Sequence, residues 1–78
     1  MKLVCVEWVD IIQSAGWEKE DEIEPPTFWN VGYLVCKDKK VVKIATTKDE
    51  KGEYFGITAF PIGCVVSIRH INEQVVAV

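Results

Sequence analysis

Residues 29–46 read WNVGYLVCKDKKVVKIAT, and this stretch decides the fold. Its two halves, residues 29–36 and 41–46, are rich in β-branched and aromatic residues, which favour strands. The charged residues 37–40 between them are typical of a hairpin turn. Gly32 inside the first half indicates a strong bend or a close approach of another backbone. The stretch therefore predicts a bent β-hairpin in the middle of the chain.

Three further β-type segments surround this hairpin, at residues 3–12, 54–60 and 64–71. Val4, Val6 and Trp8 alternate along the first of them, and Val42 and Ile44 alternate along the return strand of the hairpin. Alternating apolar residues line one face of a strand, so we expect these five side chains to point inward. Five short strands bent by glycines predict an all-β fold: a small five-stranded barrel, closed or nearly closed, with a long loop after strand 1.

The organisation along the chain predicts one domain, because 78 residues are too few for two cores. Residues 1–71 form the barrel domain in this prediction. Residues 13–27 form its long loop, because the Pro25-Pro26 pair cannot continue a strand ladder. Residues 72–78 form a tail whose ending, Val75-Val76-Ala77-Val78, is unusually apolar. Two interpretations of this tail stay open: a frayed segment, or an extra edge strand that is kept or donated to a neighbour.

The composition predicts a protein that associates. Hydrophobic residues make up 49% of the chain, including three Trp, three Phe and two Tyr. A small barrel interior does not enclose that much bulk, and large exposed apolar patches usually mark interaction surfaces. We therefore expect a homo-oligomer, with ordinary scattered surface apolarity as the alternative.

The charge distribution narrows the range of partners. A net charge of −3 argues against duplex nucleic-acid binding, which depends on neutralising phosphates. Residues 18–24 hold five acids against one Lys, whereas residues 37–51 hold six of the nine basic residues against three acids. This separation of acidic and basic segments favours the approach of a charged partner or a head-to-tail order of subunits. The alternative is that both segments are solvated loops with no partner.

The sequence predicts no catalytic, metal or cofactor site. Cys5, Cys36 and Cys64 lack a C-x-x-C spacing and are expected to be reduced thiols in the core of a cytoplasmic protein. The only His, His70, has no second metal ligand near it in sequence and no nucleophile with an activating signature. We expect no signal peptide, and no apolar stretch approaches the ~18 residues of a membrane span.

Four short motifs follow one another along the chain: Trp8-Val9-Asp10, Gly16-Trp17, Val31-Gly32-Tyr33-Leu34-Val35 and Phe60-Pro61-Ile62-Gly63-Cys64-Val65. Their order resembles small, uncharacterised phage and prophage proteins with W-x-D, G-W, V-G-[aromatic]-L-V and I-P-x-x-x-[I/V] motifs, as far as about residue 71. Phe60 stands where Ile is usual. The resemblance implies a phage accessory role in the host cytoplasm, without a defined chemistry. The strand plan is also similar to Src-homology-like and Sm-like barrels.

The candidate ligand site is aromatic. Trp17, beside Gly16 in the loop, and Trp29, after the Pro-Pro pair, are placed to stack on a planar ligand. Asp10 is an acceptor for a ribose hydroxyl or a base edge, or else it caps its own turn. The complete predicted set is Trp8, Asp10, Gly16, Trp17, Trp29, Tyr33, Lys43 and Arg69.

Three members of this set have simpler interpretations. Core packing is the first expectation for Trp8, because a large indole is usually mostly buried. Lys43 and Arg69 are placed to meet phosphate through charge-assisted hydrogen bonds, but solvent-exposed strand positions explain them equally well.

Two functions from different classes fit these observations. The first is an oligomeric, non-enzymatic phage protein that sequesters a small nucleotide-type immune signal of the host in a pocket between subunits. The alternative is an interaction module that docks on a host or virion protein by strand addition or through an apolar patch. Single-stranded nucleic-acid binding ranks lower because the domain is acidic.

Overall fold

A computed structural model of the chain describes residues 2–77, which form one antiparallel sheet of five strands. The strands are β1 (Leu3–Val9), β2 (Thr27–Lys37), β3 (Val41–Lys48), β4 (Tyr54–Pro61) and β5 (Val65–His70). Their order across the sheet is β4-β3-β2-β1-β5, so the last strand lies beside the first. Two 3-10 turns, Glu20–Glu22 and Ile62–Cys64, are the only helical segments in residues 2–77. The all-β prediction is confirmed.

The first strand is shorter than predicted and the second is longer. The expectation of a strand over residues 3–12 is wrong beyond Val9. The β1–β2 register places Pro26 opposite Asp10, and Pro26 accepts the Asp10 N–H at 2.9 Å but has no N–H of its own to continue the ladder. The Ile11 N–H then bonds the Asp10 side chain at 2.7 Å instead of a neighbouring strand. β2 in return begins at Thr27, which pairs with Val9.

The two faces of the sheet differ in burial. The inner face carries a buried cluster whose members come from three strands: Val4, Val6, Val42, Ile44 and Phe60. The predicted inward alternation in β1 and β3 is confirmed, with Trp8 packed half-buried against the cluster. Residues directly opposite each other in a sheet share a face, so the register assigns every other strand residue to the inner or the outer face.

The sheet is strongly rolled. Trp8 on β1 and Phe60 on β4 are separated by two intervening strands, yet their ring centroids are 5.3 Å apart. Register shifts next to Glu7 and Leu34 mark bulges, which increase twist and bend strands. Within the described chain β4 and β5 remain the two edges of the sheet, joined in sequence by the 3-10 turn Ile62–Cys64.

Two glycines make the rolling sterically feasible. A Cβ on Gly32 would lie 2.7 Å from the Ala45 carbonyl oxygen, so the predicted close backbone approach is confirmed. Gly56 has a φ of +71°, a conformation that other residues rarely adopt, and a Cβ there would collide with the Thr46 hydroxyl. Both positions lie where neighbouring strands cross at close range.

The described chain is extended for its length. Its radius of gyration is 16.1 Å, against about 11.5 Å expected for a compact domain of this size. Its dimensions are 53 × 29 × 19 Å. Eleven large hydrophobic side chains are exposed within residues 2–77, whereas the buried core holds six residues. The apolar bulk noted in the sequence is therefore largely on the surface.

Residues 71–77 form no regular element, so the extra edge strand is not present within a single chain. Val75 and Val76 in this segment are exposed. The cysteines are free thiols, with Cys5 and Cys64 half-buried, but Cys36 is exposed, so its predicted place in the core is wrong. No helix among residues 2–77 has the length and apolar character to traverse a membrane.

Candidate functional site

A cleft of about 250 Å³ opens at one end of the rolled sheet, where β1 ends and β4 leads into the second 3-10 turn. Ten residues line it: Trp8, Val9, Asp10, Ile11, Asn30, Thr58, Ala59, Phe60, Pro61 and Cys64. They come from β2 and the end of β1 on one side, and from β4 and the 3-10 turn that follows it on the other. The cleft thus lies between two parts of the sheet that its rolling brings together. An apolar concavity with a few converging polar groups is the usual form of a small-ligand site.

Two aromatic side chains, Trp8 and Phe60, form the floor of this cleft, and Phe28 packs beside Trp8 outside the lining. The Trp8 indole contacts Phe60 on one side and Phe28 on the other, with centroid separations of 5.3 Å in both cases. Phe60 is buried and Phe28 is 44% exposed, so the cluster runs from the core to the surface. Because the rings are tilted against one another, each holds its neighbour in place. The floor is thus preformed.

Asn30 supplies an oriented polar group beside the indole. The Trp8 Nε1–H donates to Asn30 Oδ1 at 2.7 Å. An indole nitrogen is only a donor, so the amide atom that faces it must be the oxygen. The Asn30 NH2 group then points elsewhere with two donors to offer, and the residue is exposed.

Asp10 supplies an acceptor at the same cleft. Its Oδ1 accepts the Ile11 N–H at 2.7 Å, so the predicted turn-capping role is present. An ionised carboxylate has about four acceptor positions, and one bond leaves most of them available. Thr58, from β4, adds a hydroxyl on the opposite wall. The cleft therefore combines an aromatic floor with a donor, an acceptor and a hydroxyl.

The structure divides the predicted ligand site between separate places. Trp8 and Asp10 line the cleft. Gly16 and Trp17 lie in the loop between β1 and β2, and the Trp17 side chain is fully exposed. The other four lie on the outer face of the sheet: Trp29, Tyr33, Lys43 and Arg69. A single pocket built from all eight residues is not formed within residues 2–77.

The outer face carries an apolar surface. One row of paired residues crosses four strands, namely Leu3, Tyr33, Ala45 and Ile57, of which Ala45 is fully buried. Val31 and Trp29 extend this row along β2, and Phe55 extends it along β4. We call Trp29, Val31, Tyr33, Phe55 and Ile57 the outer patch. All but the half-buried Tyr33 are more than half exposed.

A second concavity, of about 380 Å³, lies at the turn between β2 and β3 and is lined by Lys37, Asp38, Lys39 and Ile62. The Asp38 carboxylate accepts the N–H groups of Lys40 at 2.7 Å and Val41 at 2.8 Å. These bonds, the Lys40 bond foremost, hold the pKa of Asp38 below its usual range. The concavity thus contains a carboxylate among its lysines and is not a simple anion site.

Sequence reasoning missed Asn30, Thr58 and Phe60 as members of the cleft. A signal for Asn30 was available, because it occupies an inner-face position between Phe28 and Gly32, where a polar group needs a hydrogen-bond partner. No local sequence feature indicated that Thr58 or Phe60 belongs to the cleft. They reach the cleft only because the sheet rolls and brings β4 to the end of β1.

No family model matches the chain, and comparisons with curated proteins and with solved structures give no match. Among residues 2–77, no three His, Cys, Asp or Glu side chains are grouped so as to hold a metal ion.

Proposed function

We propose that this protein is a non-enzymatic binding protein that takes a planar, hydrogen-bonding group of a small ligand, such as a nucleobase, into the cleft. The observation that carries the proposal is the Trp8–Asn30 hydrogen bond, which fixes an amide donor at the edge of an aromatic floor. A base has a π-face for the floor and an edge with both donors and acceptors.

The polar groups of the cleft suit such an edge. The Asn30 NH2 group donates to a ring nitrogen or carbonyl oxygen, and Asp10 accepts from an amino group or a ribose hydroxyl. A ligand that satisfies both groups is favoured over one of the same size that satisfies neither. The floor contributes about 1–3 kcal/mol by stacking.

Charge determines where a phosphate would lie. The cleft lining contains Asp10 and no Lys or Arg, so phosphates are disfavoured inside it. Lys43 and Arg69 are on the outer face of the same chain. These cations do not contact a ligand in the cleft of their own chain, so a phosphate group of that ligand extends out of the cleft, away from Asp10.

The biological setting of the proposal rests on the motif order and on the fold. We propose that the rolled sheet acts as a small five-stranded barrel, and that several copies sequester a nucleotide-type immune signal of a host cell without turning it over. This is supported by the resemblance to phage proteins and by the exposed apolar surface, which provides for assembly.

The test uses Trp8 as the reporter. The double variant Trp17→Phe, Trp29→Phe retains Trp8 as the sole indole of the chain. We expect adenosine, guanosine, cyclic dinucleotides or cyclic ADP-ribose isomers to quench its fluorescence and to raise the melting temperature of the wild-type protein.

Matched variants separate the cleft from the rest of the surface. Asp10→Asn and Asn30→Asp change the polar edge and keep the side-chain shape, so each is expected to weaken binding of the preferred base at least 10-fold. Asp49→Asn, far along the chain in the β3–β4 turn, is the control. Native mass spectrometry of protein purified from cells then reports the subunit number and any retained ligand. No quenching, no thermal shift and no retained compound would refute the proposal.

A second candidate function, docking on a host or virion protein, is favoured by the edge of β2. Residues 27–32 pair with β1, whereas the ladder between β2 and β3 starts only at Tyr33. Such an unpaired edge accepts an added strand. Hydrogen exchange with and without an isolated partner would show protection of residues 27–32 in this case. Deleting residues 72–78 is expected to weaken binding if the apolar tail takes part.

A further inference from the structure

We propose that the outer patch is a self-association surface, on which a second copy of this chain packs face to face with its β2 strand antiparallel to that of the first. This deepens the proposed function, because it says which surface assembles the oligomer in which the cleft acts. Three observations support it: the exposure of the patch, the size of the face, and the arrangement of charge along β2.

Exposure distinguishes the outer patch from ordinary surface apolarity. Trp29 is 62% exposed, Val31 56% and Ile57 52%, and Phe55 is more exposed still. These residues are contiguous in the ladder instead of scattered, since they extend one row of paired residues. Aromatic side chains in a contiguous patch are the typical centre of a protein interface.

The size of the outer face suits a dimer interface. Its strands β2, β3 and β4 have 11, 8 and 8 residues, so at about 3.3 Å per residue and about 4.8 Å between strands, four strands cover about 600 Å². This is of the same order as the roughly 800 Å² that each partner buries in a standard interface. Because the core of a single chain is small, burying its outer face against a second copy adds an apolar layer that stabilises the fold substantially.

Charge selects the partner and its direction. The acidic segment, residues 18–24, precedes the start of β2, and the basic turn, residues 37–40, follows its end. The two charge clusters therefore lie at opposite ends of an 11-residue strand. An antiparallel second copy sets each acidic segment beside a basic turn, whereas a parallel copy sets like charges together. Only the antiparallel arrangement, with two-fold symmetry, makes the surface self-complementary.

The direct experiment measures the association of the full chain by sedimentation equilibrium from 1 µM to about 1 mM, a range that covers ordinary dimers. Wild-type protein is expected to dimerise. Val31→Lys should weaken the dimer by about 30-fold or more, as at an interface centre. Val66→Lys is the matched control, because Val66 is 57% exposed but lies at the bulge of the β5 edge. Equal association of the two variants would overturn the proposal, as would a wild-type monomer throughout the range.

Charge reversal tests the direction of pairing. One chain carries Lys37→Glu, Lys39→Glu and Lys40→Glu, and the other carries Glu20→Lys, Asp21→Lys and Glu22→Lys. Each alone should self-associate more weakly than wild type, because its two charge clusters now have the same sign. Mixed in equal amounts they should form heterodimers in preference to homodimers, and salt should reduce this preference. Random mixing would contradict pairing through these clusters. A parallel dimer already sets like charges together in the wild type, so self-association of both variants as strong as that of wild type would rule out the antiparallel arrangement.

A measurement on the wild-type protein tests the proposal without depending on the correct folding of any variant. Oxidative footprinting should show Trp29 increasingly protected as concentration rises, while Phe28, 44% exposed on the inner face, reacts equally at all concentrations. Equal reactivity of Trp29 at all concentrations would contradict the proposal. Base binding by monomeric Val31→Lys would show that the cleft functions alone. A wild-type dimer that binds no base would retain the interface and refute the cleft.

Discussion

The inner and outer faces of this sheet have similar side chains and opposite environments. On the inner face Val42 and Ile44 are almost completely buried, whereas on the outer face Val31 and Ile57 are more than half exposed. The inner residues are covered because the sheet rolls and Phe60 reaches Trp8. On the outer face, among residues 2–77, only Ala45 is fully buried and Tyr33 is half-buried, and the larger side chains around them have little of their own chain to cover them. Residue type alone therefore does not distinguish core from interface in a domain this small.

Truncating one isoleucine on each face tests this difference in burial most strongly. Ile44→Ala removes a side chain that is 4% exposed and should lower the free energy of unfolding by about 2–5 kcal/mol. Ile57→Ala, on the adjacent strand, should cost less than about 1 kcal/mol in the monomer, since its side chain is already half in water. Urea unfolding at low micromolar concentration measures both, and equal costs would mean that the faces have been assigned incorrectly.

Two glycine substitutions compare a crowded position, where β3 and β4 extend past the core, with a position that has open space around it. Gly56→Ala places a Cβ at positive φ against the Thr46 side chain and should destabilise the fold by about 1–3 kcal/mol. Gly63→Ala has open space around the new Cβ and should be nearly neutral. Thermal unfolding of the two variants should differ by several degrees, and similar melting temperatures would argue against the close crossing at Gly56.

The turn between β3 and β4 maintains the register that keeps the two faces distinct. The Asp49 side chain accepts the N–H groups of Lys51 at 3.0 Å and Glu53 at 2.8 Å. Asp49→Ala is expected to cost about 1 kcal/mol, because both bonds are lost at an exposed site. Asp49→Asn keeps an acceptor and should cost less. Urea denaturation distinguishes these outcomes, and an Asp49→Ala variant as stable as wild type would show that other contacts set the register.

The smallest expected effect is on the free energy of unfolding. It arises in the turn between β2 and β3 and appears only at acidic pH. Backbone N–H groups lower the pKa of Asp38 in the folded protein, so its contribution to stability is complete above the unfolded pKa of about 4. That contribution is lost as the pH falls from there through the folded pKa. Compared with Asp38→Asn, wild-type stability should therefore decline more steeply below about pH 4. Parallel urea titrations at pH 6 and in acid measure this, and identical pH slopes would contradict the turn geometry.

The strands were predictable from sequence because their signal is local. Alternation at Val4, Val6 and Trp8, and again at Val42 and Ile44, predicted both the elements and their inward face. The end of β1 was not predictable in this way, because it depends on the register that places Pro26, which has no N–H to donate, opposite Asp10.

The candidate site was only partly predictable. Trp8 and Asp10 were expected in a ligand site and do line the cleft. Trp29 was expected to wall the same site but faces outward, since its register with Glu7 puts it one residue out of phase with Trp8. A shift of one residue along a strand inverts the face, and the strand start at Thr27 was not visible in the sequence.

The pairing of the last strand with the first has a kinetic consequence. Val4 lies opposite His70, and the Ile71 N–H bonds the Leu3 carbonyl at 2.9 Å, so one edge of β1 remains unpaired until residue 71 has been synthesised. Ladders between such remote segments carry a large loop-closure entropy, which slows folding. A growing polypeptide of this kind exposes β1 to chaperones until β5 has left the ribosome, and its native topology becomes accessible only then.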